Sequence, residues 1–186
     1  MTWFQESPEV SLSLIEATNI DRDARILDVG GGASTLVDGL LDRGFENISV
    51  LDLSDSAVGH AKTRLGMRSE HVTWTAEDVT TFHPDQPVDL WHDRAVLHFL
   101  TEKRDRELYV QTLTESLAPS GHVIIATFAI DGPKKCSGLE VVRYGPQEIA
   151  VLLGESFQLL EVLHEAHFSP GKVKQRFTYF RFQRQG

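Results

Sequence analysis

Short apolar runs recur along the chain, separated by stretches in which apolar residues return every three or four positions. Arg25–Val29 (RILDV), Asn47–Asp52 (NISVLD), Val72–Thr75 and Val88–His92 read as strands. His122–Phe128 (HVIIATF) is the most apolar run and reads as a strand buried on both faces. Thr35–Arg43, stopped by Gly44, reads as a helix, as does Asp55–Leu65, capped by Ser54 and closed by Gly66. A short helical piece is predicted over Ala95–Phe99 and a longer helix through Leu117 with Thr101 as its cap. Pro119-Ser120-Gly121 reads as a turn, and Gly145-Pro146 starts a helix because proline suits the first helical position. Phe157–His167 and Arg176–Gln183 are strand-like and joined by a turn at Ser169–Lys172, an antiparallel hairpin.

Alternating strands and helices imply an α/β fold, a parallel sheet with helices on both faces. There is no internal repeat, low-complexity segment or linker, so residues 1–186 are read as a single domain. Residues 1–20 are read as an N-terminal lid or helix. The longest stretch without periodicity is residues 129–144, and a loop of that length in a compact domain is more often functional than decorative.

Composition narrows the class. At 186 residues with 41% hydrophobic positions, the chain can bury a core without a disulfide or structural metal. The single cysteine, Cys136, excludes a disulfide framework and any multi-cysteine metal site. Eighteen basic against 27 acidic residues leave a net charge of −9, which repels phosphate backbones and argues against nucleic acid as a partner. No apolar run approaches a membrane span, and Met1–Glu6 lacks the features of a secretory signal, so a cytoplasmic protein is expected.

Asp28-Val29-Gly30-Gly31-Gly32-Ala33-Ser34 follows the first strand and opens a helix, where bare backbone and exposed N–H donors can meet a ligand. A dinucleotide fingerprint wants glycine where Thr35 stands, and no Gly-Lys-Ser/Thr follows, which excludes a P-loop. Asp28 puts a carboxylate at the end of the strand, which suits a cationic ligand better than a pyrophosphate. Asp52 ends the second strand, where it can accept both hydroxyls of a ribose. Asp78 follows the third, where it can accept from an adenine amino group. Either acid alone is ordinarily a solvated turn residue or a cap. Acids at the ends of three successive strands fall where open α/β sheets bind ligands.

This constellation resembles the class I S-adenosylmethionine-dependent methyltransferases over nearly the whole chain. Ile26–Ser34 is similar to that family's first motif, Leu51-Asp52-Leu53-Ser54 to its ribose-binding segment, Glu77-Asp78-Val79 to its adenine contact, and Asp89–His98 to its fourth motif. More narrowly, Trp3-Phe4-Gln5, the triple glycine, Trp91–Leu100 (WHDRAVLHFL) and Cys136–Leu139 resemble a bacterial subgroup of small methyltransferases. The resemblance implies a Rossmann-like seven-stranded sheet of order 3-2-1-4-5-7-6 with strand 7 antiparallel. It implies S-adenosyl-L-methionine as cofactor, contacted by Asp28, Gly30, Gly31, Gly32, Asp52, Leu53, Asp78, Val79 and His92.

In such a fold the end of the fourth strand sits beside the reactive methyl, and His92-Asp93-Arg94 occupies that place. It is not the Asn/Asp-Pro-Pro-Tyr/Phe pattern that the resemblance ties to exocyclic nucleobase amines. His92 is read either as a cofactor contact or as a general base. Asp93 either orients a histidine or binds a cation, or else pairs with Arg94 or caps the following turn. Arg94 either meets a substrate anion or pairs internally. His98 lies on the same helical face as Arg94 and is a candidate base or a core histidine. Tyr144 or Arg143 can line a substrate pocket, Cys136 reads as a small buried side chain, and Trp3 and Phe4 read as an aromatic lid or as core. His164 and His167 face opposite sides of a strand, so no metal site is read there.

The catalytic set is therefore His92, Asp93, Arg94, His98 and Tyr144, with a small-molecule acceptor bearing a thiol, hydroxyl or carboxyl. The alternatives are a protein lysine methyltransferase and a cofactor-binding module without catalysis. A nicotinamide reductase is disfavoured by Asp28 and Thr35.

Overall fold

The structure is a computed structural model that describes residues 8–168 and 174–186. Seven strands form one sheet: β1 (Arg25–Val29), β2 (Asn47–Asp52), β3 (Val72–Ala76), β4 (Val88–Arg94), β5 (Leu117–Phe128), β6 (Phe157–Phe168) and β7 (Lys174–Arg184). Their order is β3-β2-β1-β4-β5-β7-β6. The first five pair in parallel, and β7 runs antiparallel to both β5 and β6. This is the order and the reversal that the resemblance implies.

The helices are α1 (Glu9–Glu16), α2 (Leu36–Asp42), α3 (Asp55–Leu65), α4 (Lys103–Ser116) and α5 (Pro146–Leu153). Alternation along each strand sends side chains to two cores. Ile26, Val50, Leu90 and Ile124 meet α1, α2 and α3 on one face. Leu27, Trp91, Val123 and Ile125 meet α4 and α5 on the other. Residues 77–87 form no helix, so the sheet face bearing Ser49, Thr73 and Thr75 stays open as a polar groove of about 590 Å³.

Local rules account for most boundaries. The Ser54 hydroxyl accepts from Ala57 N–H, and Gly66 leaves α3 at φ +58. Thr101 does not cap α4: the helix begins at Lys103 behind an extended Glu102, and Arg106 takes the carbonyls of Leu100 and Thr101 instead. Pro119-Ser120-Gly121 lies in a wide bulge of β5, where pairing with β4 jumps from Val88↔Leu117 to Leu90↔His122. Within residues 129–144, expected to be a loop over the substrate site, Lys135–Cys136 pairs with Leu139–Glu140 around Ser137 and Gly138, both at positive φ. Ser-Gly between two extended pairs is a two-residue hairpin turn, a signal the sequence carried. The expected turn at Ser169–Lys172, together with Trp3 and Phe4, lies outside the described residues.

Candidate active site

Strand order reverses between β1 and β4, and a cavity of about 350 Å³ opens there at the carboxyl ends of the strands. Gly30, Asp52, Leu53, Asp78 and Val79 line one side, and Arg94, Ala95 and Val96 another. The larger polar groove lies away from this reversal point and joins none of these residues.

The glycine loop is shaped by what presses on it. Gly30 turns out of β1 at φ +72 and donates its N–H to Leu51 O at 2.6 Å. A Cβ there would lie 2.2 Å from Val96 Cγ2. At Gly31 it would lie 2.2 Å from Asp28 Oδ2, and at Gly32 2.8 Å from Asp52 Oδ2. The loop is therefore held between two carboxylates and a valine, and side chains are excluded at all three positions.

Asp52 accepts from Gly32 N–H at 3.0 Å through Oδ2 and from Ser54 N–H at 2.8 Å through Oδ1. Each oxygen keeps a second lone pair on the cavity wall, so a vicinal diol can still be received. Asp78 is fixed by Thr80, whose N–H and hydroxyl both donate to Oδ1, at 2.8 and 2.7 Å. Leu53 at the cavity is an apolar side chain 76% exposed.

Asp28 and His92 lie beneath the loop rather than on the cavity wall, both buried. They are register partners on β1 and β4, which brings Asp28 Oδ1 and His92 Nδ1 to 2.8 Å, and Ser11 Oγ of α1 meets His92 Nε2 at 2.9 Å. Asp28 Oδ2, under Gly31, has no hydrogen-bond partner among the described residues. A buried, orphaned carboxylate oxygen beneath bare backbone fits a ligand ammonium.

Asp93 faces the opposite core and is fully buried. It accepts from Val96 N–H (2.8 Å), Leu97 N–H (3.0 Å) and the Tyr109 hydroxyl (2.7 Å). Burial pushes its carboxyl up to about 6, against the lowering effect of those three donors and of His92. Of its sequence readings, the geometry corresponds to the cap of the following turn.

Arg94 returns to the first face and reaches the cavity. Its Nε donates to Tyr179 Oη at 3.0 Å, its guanidinium lies 4.6 Å over the Phe177 ring, and Glu165 stands 4.0 Å away. Tyr179 in turn donates to Glu165 at 2.8 Å, and burial moves its hydroxyl up to about 12. His98 is fully buried between Phe99 and Phe128, and neither ring nitrogen has a hydrogen-bond partner among the described residues. Burial, then the Arg94 charge, pulls its imidazole down to about 3, so it is neutral at pH 7. Tyr144 is buried on the Asp93 side, and burial raises its hydroxyl to about 12. Cys136 is fully buried.

Five of the residues expected to hold the cofactor thus wall one cavity, and Arg94 lines it as well. His92, Asp93, His98 and Tyr144 stand behind that wall on different faces. Ser11, Tyr109, Glu165 and Tyr179 were not singled out from the sequence. Ser11 and Tyr109 carry one local signal, a polar group between two apolar neighbours; Glu165 and Tyr179 carry none, and the pairing partners lie far along the chain.

An open sheet with this reversal point, this glycine loop and these strand-end acids defines a class I S-adenosylmethionine-dependent methyltransferase. A methyltransferase-domain family model matches residues 27–123, just over half of the chain, and the chain belongs to that family. Nodulation protein S of Rhizobium fredii is 29% identical over 133 residues, 72% of this chain and 73% of that protein. The N-methyltransferase NodS from Bradyrhizobium japonicum WM9 superposes with a TM-score of 0.72 at 19% identity, over 96% of each chain. The 1,6-didemethyltoxoflavin-N1-methyltransferase of Burkholderia thailandensis, solved with 1,6-didemethyltoxoflavin and S-adenosylhomocysteine bound, gives 0.75 at 20% identity, over 96% of this chain and 78% of that one. Among the described residues no helix is long and apolar enough to cross a membrane.

Proposed function

We propose that this methyltransferase acts on a small molecule and that the acceptor atom is an amine nitrogen. The reading departs from the thiol, hydroxyl and carboxyl acceptors expected from sequence. Its support is the matched relatives, NodS and the toxoflavin enzyme, both described as N-methyltransferases. The observation that carries the site is the 350 Å³ cavity joining Asp52 and Asp78 at one side to Arg94 at the other.

In this reading Asp52 would hold the ribose hydroxyls, and Asp78, Val79 and Leu53 would hold the adenine. The buried Asp28 Oδ2, without a hydrogen-bond partner among the described residues, would hold the ammonium of the methionine moiety. Bound S-adenosylmethionine supplies an electrophilic methyl and its own leaving group. The protein's part is alignment and exclusion of water. Arg94, braced by Phe177 and Tyr179, is the acceptor-side contact. His92 and Asp93 act from behind the wall as positioning residues, through Asp28 and through the Val96 and Leu97 N–H groups, whereas the His98 and Tyr144 side chains make no hydrogen bond among the described residues. An amine must arrive unprotonated to attack, and the Arg94 cation disfavours an ammonium beside it.

Methyl-labelled cofactor incubated with amine, thiol, hydroxyl and carboxyl acceptors and with whole protein extract tests this. Label is expected in N-methyl products of small amines. Label on protein lysines, or on sulfur or oxygen acceptors alone, rejects the reading.

A further inference from the structure

The cavity wall between β4 and α4 is strained. Ala95, on that wall, adopts φ +73, a region costly for a residue with a Cβ. One buried carboxylate holds the chain there. Asp93 binds the N–H groups of Val96 and Leu97, one on each oxygen, while Ala95 N–H is tied to Ala126 O at 2.9 Å. The third donor to Asp93 is Tyr109 on α4, and the roles are fixed by valence. Trp91 Nε1–H can only donate, and it does so to the Tyr109 oxygen at 3.0 Å. The Tyr109 proton is then committed to Asp93. Trp91, Asp93 and Tyr109 are all fully buried and none lines the cavity.

We infer that Tyr109 is a positioning residue of this methyltransferase: seated by Trp91, it orients the Asp93 carboxyl group so that both oxygens clamp the turn walling the cofactor cavity. The inference rests on that cavity being the S-adenosylmethionine site. Val96 on the clamped turn fills the space a Gly30 Cβ would need, so the turn also sets the outer limit of the glycine loop. A shift of the turn therefore moves the wall at Gly30 and at Arg94 together.

A protonated Asp93 has an O–H of its own to place and one acceptor oxygen fewer for three donors. Its carboxyl sits near 6, raised by burial, so protonation falls close to neutral pH. The groups facing it are the Tyr109 hydroxyl from α4, the Tyr144 hydroxyl with Arg106 behind it, and His92 on its own strand.

The test is S-adenosylhomocysteine binding by calorimetry from pH 5 to 8.5, on the full chain, for the wild type, Tyr109→Phe and Asp93→Asn, with melting temperatures alongside. The ligand titrates identically in all three, so differences between the curves belong to the protein. Wild-type affinity is expected to fall with a midpoint near 6. Removing the donor that lowers Asp93 moves that midpoint up by about one pH unit in Tyr109→Phe. In Asp93→Asn the acid limb disappears and affinity is weaker, by about tenfold, at every pH. A lower melting temperature in Tyr109→Phe with an unmoved midpoint assigns Tyr109 to packing alone and overturns the inference. Should Tyr109→Phe not fold, an acid limb in Asp93→Asn equal to that of the wild type overturns it as well. Wild-type protein that binds no S-adenosylhomocysteine at any pH rejects the cavity assignment and the inference with it.

Discussion

His92 and His98 stand six residues apart and are equally inaccessible, yet they are opposite kinds of buried histidine. His92 uses both ring nitrogens, one on Asp28 and one on Ser11, and so joins β4 to the strand beside it and to the helix above. His98 uses neither and sits between aromatic rings. A bonded imidazole is a cross-link whose removal orphans its partners. An unbonded one is a desolvated polar ring that the fold tolerates at a cost. The pair teaches that a histidine's burial says little about its role until its nitrogens are traced.

The largest effect that sharpens this contrast is expected for His92→Ala. It leaves the Asp28 carboxylate and the Ser11 hydroxyl buried without their partner, which costs about 3–5 kcal/mol. Urea denaturation measures it, and a loss under 1 kcal/mol breaks the cross-link reading.

Next comes Gly31→Ala, which forces a methyl onto Asp28 Oδ2 and tests whether that oxygen serves the cofactor. S-adenosylhomocysteine affinity is expected to drop about 100-fold, roughly 2.7 kcal/mol, in isothermal titration. Unchanged affinity separates Asp28 from the cofactor.

Acid sensitivity distinguishes the other histidine. His98 stays neutral in the folded chain down to about pH 3 but takes a proton above pH 6 when unfolded. Its stabilising effect is therefore present above about pH 6.5 and lost as pH falls, at about 1.4 kcal/mol per pH unit. Asp93, raised by burial, acts with the opposite sign between its unfolded value and about 6. Comparison with His98→Phe cancels Asp93: the variant gains on the wild type by about 2 kcal/mol between pH 7 and pH 5. Parallel stability curves remove the claim.

The smallest effects are Ser11→Ala, expected to cost about 1 kcal/mol, and His98→Phe at neutral pH, expected to lie within about 1 kcal/mol of the wild type or above it. A His98→Phe enzyme that keeps its stability but loses affinity for the acceptor would place His98 in the acceptor pocket and reverse its half of the comparison.

Much of the scaffold was legible from local pattern. Runs such as RILDV and HVIIATF are apolar because their strands are covered on both faces, and Ser54 and Gly66 bound α3 by capping chemistry alone. The Ser137-Gly138 turn follows from the same local rules. The strand-end residues lining the cavity, Asp52 and Asp78 among them, were legible because strand-end placement follows from strand assignment. The β4 side of the cavity was not. Whether Asp93 or Arg94 faces the cavity depends on alternation at the end of β4 and on which core lies on each side.

By itself, the sequence determined the sheet, its glycine turn and the acids at its strand ends, because periodicity, capping and backbone freedom act over a few residues. Only the tertiary structure decided that Asp28 joins His92 and Ser11 and that Asp93 joins Tyr109 and Trp91. It also decided that Arg94 alone of its neighbouring charges reaches the cavity. Those partners lie as much as 81 positions apart, and a buried hydrogen bond is chosen by which faces meet when the sheet closes against its helices.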